Sequence, residues 1–487
     1  MSRSQPLARN MVWFSLAAYF AQPIVLLSSL GVKVFLGPYG AGLVSLIGVI
    51  LLYGNLANLG VLLALERELP INRGADRPKQ LKILEDVGFS VGMLCLAIVG
   101  IGIVLLTTLI QWSALVKQAL LASAILLVAQ QASNHYTTML RTDRRFVTLA
   151  KAQVSLNTLS AGGVVIGAAV FGIPGALWAI TIAGSLGAAA MLIASGRRLR
   201  VHWDRSVAIH LVRSGLSLMI VGITILALRS IDNVLVLQFL GVTSLGLYSL
   251  SQLGFGVVIA VTTACATVVY PEMGVEWGRS GSKEALAEIT QYWSRLLAVS
   301  LPVVTGVIYL VMPAIVEVGL RRFASGIPCF RVVVLGSAMF GLSQVVTSEL
   351  FVRGKNLAIG LTAAGATICA TMAVIILHAT GHLTLVAVGY AIVSGYAVAW
   401  VVLTALAHER RAAGSLLLRE VMLLGYGSIC AVGARYGAAT LGTRRLSAGA
   451  VGLAIFVFLY GPVVLRILAQ HWGWRQVRLQ IDSARSR

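Results

Sequence analysis

Apolar segments of about twenty residues recur along the chain from Met11 to Leu468, and the stretches between them are too short to fold alone. A helix of roughly twenty residues crosses a hydrocarbon core of about 30 Å, and lipid offers backbone groups no partner outside their own helix. The chain is therefore confined to a bundle of membrane helices. Composition agrees: 58% hydrophobic against 11% charged residues leaves a 487-residue chain too little polar side chain to clothe a water-exposed surface. Spans are predicted near 11–35, 41–64, 86–110, 117–138, 152–171, 175–195, 213–238, 246–270, 292–317, 328–350, 357–378, 384–407, 419–440 and 446–468, fourteen in all. The expected fold class is an all-α polytopic membrane protein.

Orientation follows from the basic residues. With both termini cytoplasmic, 29 of the 38 Lys and Arg fall on the inner side, in clusters such as Arg67 to Lys82, Arg141 to Lys151, Arg197 to Arg213 and Arg410 to Arg419. An odd number of spans would break that alternation. The net charge of +21 is thus spread over short loops bordering the bilayer, beside no aromatic-rich basic face, which excludes nucleic acid as a partner and favours anionic membrane lipids. Met1 to Asn10 carries two arginines before a span too long for a signal-peptide core, so that span is expected to stay as a helix. The five cysteines lie in or beside spans with no CxxC and no histidine at metal-ligand spacing, so neither a metal site nor another cofactor is expected. No Walker A sequence is present and the outer loops are short, which disfavours ATP hydrolysis and a loop-borne enzyme such as a polysaccharide polymerase or ligase. The fragment Arg141-Thr-Asp-Arg-Arg145 reads as a topology loop.

One short pattern repeats. Phe35-Leu36-Gly37 followed by Gly42-Leu43 and Ser45-Leu46 recurs 204 residues later as Phe239-Leu240-Gly241 followed by Gly246-Leu247 and Ser249-Leu250. Each copy joins an odd span to the next on the outer side, and an offset of six spans preserves direction. The expected organisation is a six-helix lobe over 1–209, a second over 210–410, and two accessory helices with a basic cytoplasmic tail over 411–487.

Polar residues inside the spans mark where a path could run. Ser15, Tyr19, Gln22, Ser29 and Lys33 share one face of the first span; Asn55 and Asn58 add amides to the second. The fourth offers Ser123, Gln131, Asn134 and Thr138 with His135 beside them, and the eighth Tyr248, Gln252, Gly256 and Thr263. Each can serve either as a hydrogen bond between helices or as a substrate contact. Charges are stronger markers, because one near mid-bilayer costs about 2.5–3.5 kcal/mol even on an insertion scale. Arg229 lies well inside the seventh span with Asp232 at i+3, which reads either as a self-neutralising pair or as an anion contact held by its carboxylate. Asp232 is also the candidate for coupling to a proton or sodium gradient. Lys33 and Arg331 lie near the outer ends of their spans, where they either snorkel or form a cationic mouth.

The stretch Arg229-Ser-Ile-Asp232-Asn-Val-Leu-Val-Leu-Gln-Phe-Leu-Gly241-Val-Thr-Ser-Leu-Gly246-Leu-Tyr248 resembles the seventh-to-eighth span signature of bacterial polysaccharide flippases of the Wzx type. Tyr270-Pro271-Glu272-Met273 and Leu36-Gly37-Pro38-Tyr39-Gly40 continue the resemblance, which places the chain in the polysaccharide transporter branch of the multidrug, oligosaccharidyl-lipid and polysaccharide exporter superfamily. The resemblance implies a non-enzymatic transporter of the bacterial inner membrane. Its substrate would be an undecaprenyl-pyrophosphate-linked oligosaccharide for O-antigen, capsule or exopolysaccharide, flipped by alternating access alongside a polysaccharide polymerase and a chain-length regulator. Two alternatives share the design: a lipid II flippase, usually richer in arginine on its first two spans, and a cation-coupled multidrug exporter, usually of twelve spans with buried acids.

Overall fold

The computed structural model describes residues 4–74, 77–143, 145–197, 200–408, 410–440 and 449–466. The elements are α1 (Ser4–Gly54), α2 (Val61–Gly74), α3 (Pro78–Leu109), α4 (Ala114–Thr142), α5 (Phe146–Ser195), α6 (Arg205–Ser280), α7 (Lys283–Gly319), α8 (Ile327–Val352), α9 (Asn356–Ala379), α10 (Leu385–Ala407), α11 (Arg410–Thr440) and α12 (Gly449–Arg466). Among the described residues, eleven helices are long and apolar enough to cross a membrane.

Three of these are twice the length of a span, and each breaks at a glycine. Gly37 (φ 66°, ψ −175°), Gly172 (φ 63°, ψ −142°) and Gly241 (φ 81°, ψ 178°) interrupt α1, α5 and α6 with a backbone conformation open essentially to glycine alone. Each therefore contributes two limbs, and the eleven helices make the fourteen spans expected. Gly37 and Gly241 are the equivalent glycines of the sequence repeat; Phe171-Gly172 is a third, shorter copy of the same turn. Glycine is needed again where these turns meet: no Cβ fits at Gly42 against the Val242 carbonyl or at Gly246 against that of Pro38.

The second span ends earlier than expected. A single 3-10 turn over Asn55–Asn58 leads into left-handed Leu59 and Gly60, with the Gly60 amide donating to the Asn58 side chain at 2.9 Å. The loop expected beyond it is the helix α2. Its Val61, Ala64, Leu65 and Leu69 pack on Leu84, Val87 and Val91 of α3 and on Ala208 and Leu211, leaving Glu66 and Arg67 exposed. One apolar face with tertiary partners overrode its loop-like charge content.

The chain divides into two compact units. One comprises Met1–Leu226 with Leu240–Ser249; the other comprises Ala227–Phe239 with Leu250–Arg487. In the first, α5 packs on α1 and α4, and α3 on α4. In the second, α8 lies against α7 and α10, α9 against α10, and α11 against α7. Within the first unit, Gly167 meets Gly175 across the α5 hairpin with no space for a side chain.

Candidate functional site

In the second unit the polar centre is Asp232, on the first limb of α6 and 1% exposed. Its carboxylate accepts from Gln252 Nε2 of the second limb at 2.5 Å and from the Asn233 backbone and amide at 2.8 and 3.1 Å. The sequence pairs Asp232 with Arg229; the fold brings it Gln252, twenty residues on, because the Gly241 break returns the second limb alongside the first. Arg229 itself is exposed. Beneath Asp232, the buried Tyr396 of α10 stacks on Phe255 at 5.7 Å and meets Phe340 at 5.1 Å. A carboxylate so enclosed is held in one orientation, while its neighbour Arg229 retains a guanidinium able to meet an anion.

The first unit holds a neutral counterpart. Asn55 donates to Gln130 Oε1 at 3.3 Å and to the Leu51 carbonyl at 2.6 Å, joining α1 to α4. Gln131 is fully buried in the space that Gly92 leaves open on α3, and its amide oxygen and nitrogen have no hydrogen-bond partner among the described residues. His135, one turn along, is buried edge-on to Phe89 at 5.3 Å, and Asn134 is half-buried. Lys33 is buried and donates to Ser29 at 3.1 Å, one turn back on the face the sequence predicts. The side chains of Tyr19 and Gln22 lie outside the described residues. Tyr248 is buried in this unit.

Arg331 has a setting of its own in the second unit. It lies over the Tyr309 ring at 5.4 Å and lines a groove of about 710 Å³ within the second unit. Three features escaped the sequence reading: Gln130, which looks like another neutral residue beside Gln131; Tyr396, indistinguishable from a packing aromatic; and Glu420 of α11, buried and accepting from Trp400 Nε1 at 2.9 Å. Glu420 falls at the very start of the span expected over 419–440, directly after the basic cluster; only its place on α11 puts it against α10. Among the described residues no cluster of His, Cys, Asp and Glu could hold a metal ion.

Against known proteins, a family model described as polysaccharide biosynthesis protein matches residues 19–320. A comparison with curated proteins finds no match. Among solved structures, the fold is similar to the lipid II flippase MurJ in an inward closed conformation, at 13% identity over 94% of this chain and 100% of that one, with a TM-score of 0.65. It is also similar to an inward-facing multidrug resistance MATE family transporter of the MOP superfamily, at 16% identity over 82% of this chain and 95% of that one, with a TM-score of 0.60. A MOP superfamily transporter from Pyrococcus furiosus matches at 15% identity over 86% of this chain and 96% of that one, with a TM-score of 0.52.

Proposed function

Because this chain belongs to the polysaccharide biosynthesis protein family, we propose that it is a flippase moving a polyisoprenyl-pyrophosphate-linked oligosaccharide across the bacterial inner membrane by alternating access. The family match, which covers residues 19–320, carries the reading. No bond is made or broken, so what such a protein must supply is a hydrated polar path for the head group while the lipid tail stays in the bilayer.

The side chains suit that task. Arg229 is the anion contact: exposed, on a span, and able to offer a planar guanidinium to a pyrophosphate oxygen pair. Asp232, fixed by Gln252, is the candidate protonation or sodium-coupling site. Asn55, Gln130, Gln131 and Asn134 supply neutral amides for sugar hydroxyls, and the orphaned amide of Gln131 supports such a role. Both termini are cytoplasmic in this reading, and the exported repeat unit passes to a polymerase and a chain-length regulator.

The test is leaflet translocation of a polyisoprenyl-pyrophosphate oligosaccharide in proteoliposomes, with efflux of a cationic dye followed in the same vesicles. Sugar-lipid movement without dye efflux is expected. Dye efflux alone assigns the chain to multidrug export, and preference for lipid II assigns it to peptidoglycan precursor transport. Arg229→Ala is expected to abolish translocation, and Arg229→Lys to retain part of it, with both variants still inserted. Full activity of Arg229→Ala removes the anion role.

A further inference from the structure

The groove containing Arg331 has the shape and polarity of a lipid site. It lies wholly within the second unit, between α8, α10 and α11, with Tyr309 of α7 at one side. At one end stand two guanidinium groups, Arg331 near the start of α8 and Arg435 near the end of α11. Below them the walls are aliphatic, among them Leu335, Val393, Val421 and Leu424, and the floor at the far end is Trp400.

The two arginines are placed as if for a third party. They are close enough to repel one another, yet neither enters an ion pair among the described residues, and the Nε of Arg331 has no hydrogen-bond partner there. Glu317 of α7 acts on Arg331 from beyond ion-pair distance. Each guanidinium leans on an aromatic face, Arg331 over Tyr309 at 5.4 Å and Arg435 over Tyr436 at 5.7 Å. Stacking of this kind fixes the plane and leaves the N–H edges free to fork onto phosphate oxygens.

Length and placement match a lipid as well. From Val386 to Trp400 the groove follows α10 for about 21 Å at 1.5 Å per residue, against about 15 Å for half a hydrocarbon core. The arginine end is opposite the basic loops, since α8 runs from Arg331 towards Arg353 and α11 runs from Arg410 towards Arg435. By the positive-inside rule, that end faces the outer leaflet.

We infer that the groove between α8, α10 and α11 binds an anionic membrane phospholipid, its phosphate between Arg331 and Arg435 and one acyl chain along the groove to Trp400. The site is separate from the transported substrate and does not depend on its identity.

The experiment is native mass spectrometry of the full-length protein, delipidated in detergent and titrated with phosphatidylglycerol, phosphatidylcholine or undecaprenyl phosphate. Phosphatidylglycerol is expected to bind about twenty-five-fold more tightly than phosphatidylcholine, about fivefold for each arginine at an anionic head group. Arg331→Gln with Arg435→Gln should bring the two to equal retention. Val421→Trp, which fills the groove from an exposed position, should weaken both. Arg435→Gln alone, at an exposed residue, should remove about fivefold of the preference and serves if the double variant does not fold. Equal retention of the two phospholipids by the wild type, or an unchanged preference in Arg435→Gln, overturns the site. Stronger binding of undecaprenyl phosphate than of phosphatidylglycerol, lost in the same variants, makes the groove a substrate site instead.

Discussion

In the first unit, Arg73 and Arg197 converge on Asp143, and Arg197 also pairs with Glu85 at the start of α3. In the second, Glu349 near the end of α8 pairs with Arg353 at 3.0 Å and accepts from Thr290 of α7 at 2.6 Å, while Arg353 donates to the Ala407 carbonyl at 2.8 Å and His408 lies 4.0 Å away. Both clusters close the end that bears the basic loops. They differ in water. The Arg73 and Arg197 side chains are 47% and 31% exposed, whereas Glu349 is fully buried and its Arg353 partner is 10% exposed. The first joins two partly solvated arginines to carboxylates only 13% and 6% exposed, so its cationic side keeps contact with water; the second is a dry joint fixing three helices, in which loss of one member strands the others.

The comparison can be broken by experiment. Glu349→Ala should be the most damaging change, because it leaves Arg353 and Thr290 without their acceptor in a dry setting; about 3–5 kcal/mol is expected, read as loss of thermal stability of the detergent-solubilised protein. Asp143→Asn removes the negative charge that both arginines share in the first unit, yet should lower stability by only about 0.2–1 kcal/mol per pair. If the two changes proved equal, the distinction would fail. Salt sharpens it: at about 1 M ionic strength, where the screening length is about 3 Å, the Asp143→Asn defect should vanish and the Glu349→Ala defect persist.

The smallest expected effect is one of pH. Burial holds His408 below its ordinary value, against the pull of the Glu349 carboxylate. The unfolded chain takes up a proton near the ordinary histidine value of 6.5 while the folded form takes one up less readily, so the unfolded state binds more protons in that window. Stability is therefore present at neutral pH and declines as pH falls through that value. His408→Gln should flatten the slope between pH values of about 7.5 and about 5.5 in thermal melts, and an unchanged slope would assign it to other groups.

Much of the fold was legible because the signals are local. Twenty apolar residues specify a span whatever surrounds them, and the glycines of the Phe-Leu-Gly repeat specify the turns because no other residue takes φ near 66° and 81° without strain. The helix α2 was missed because its apolar face has meaning only against α3 and the start of α6. The candidate site was legible by residue and not by partner. Asp232 and Gln252 both stand out in the sequence, but their bond depends on how two limbs fold back at Gly241. Arg141 to Arg145 reads as a loop that sets topology, yet its Asp143 is the hub of an ion-pair network reaching residues on three other stretches of chain.

The sequence by itself determined that the chain lives in lipid, how many times it crosses and where it turns, because hydropathy, loop charge and glycine's backbone freedom are properties of short segments. Only the tertiary structure decided that Asp232 turns to Gln252, that Glu349 is dry, and that Arg331 and Arg435 meet above one groove. A side chain reaches only a few ångströms, and which groups lie within that reach is settled by helix packing between residues more than a hundred positions apart.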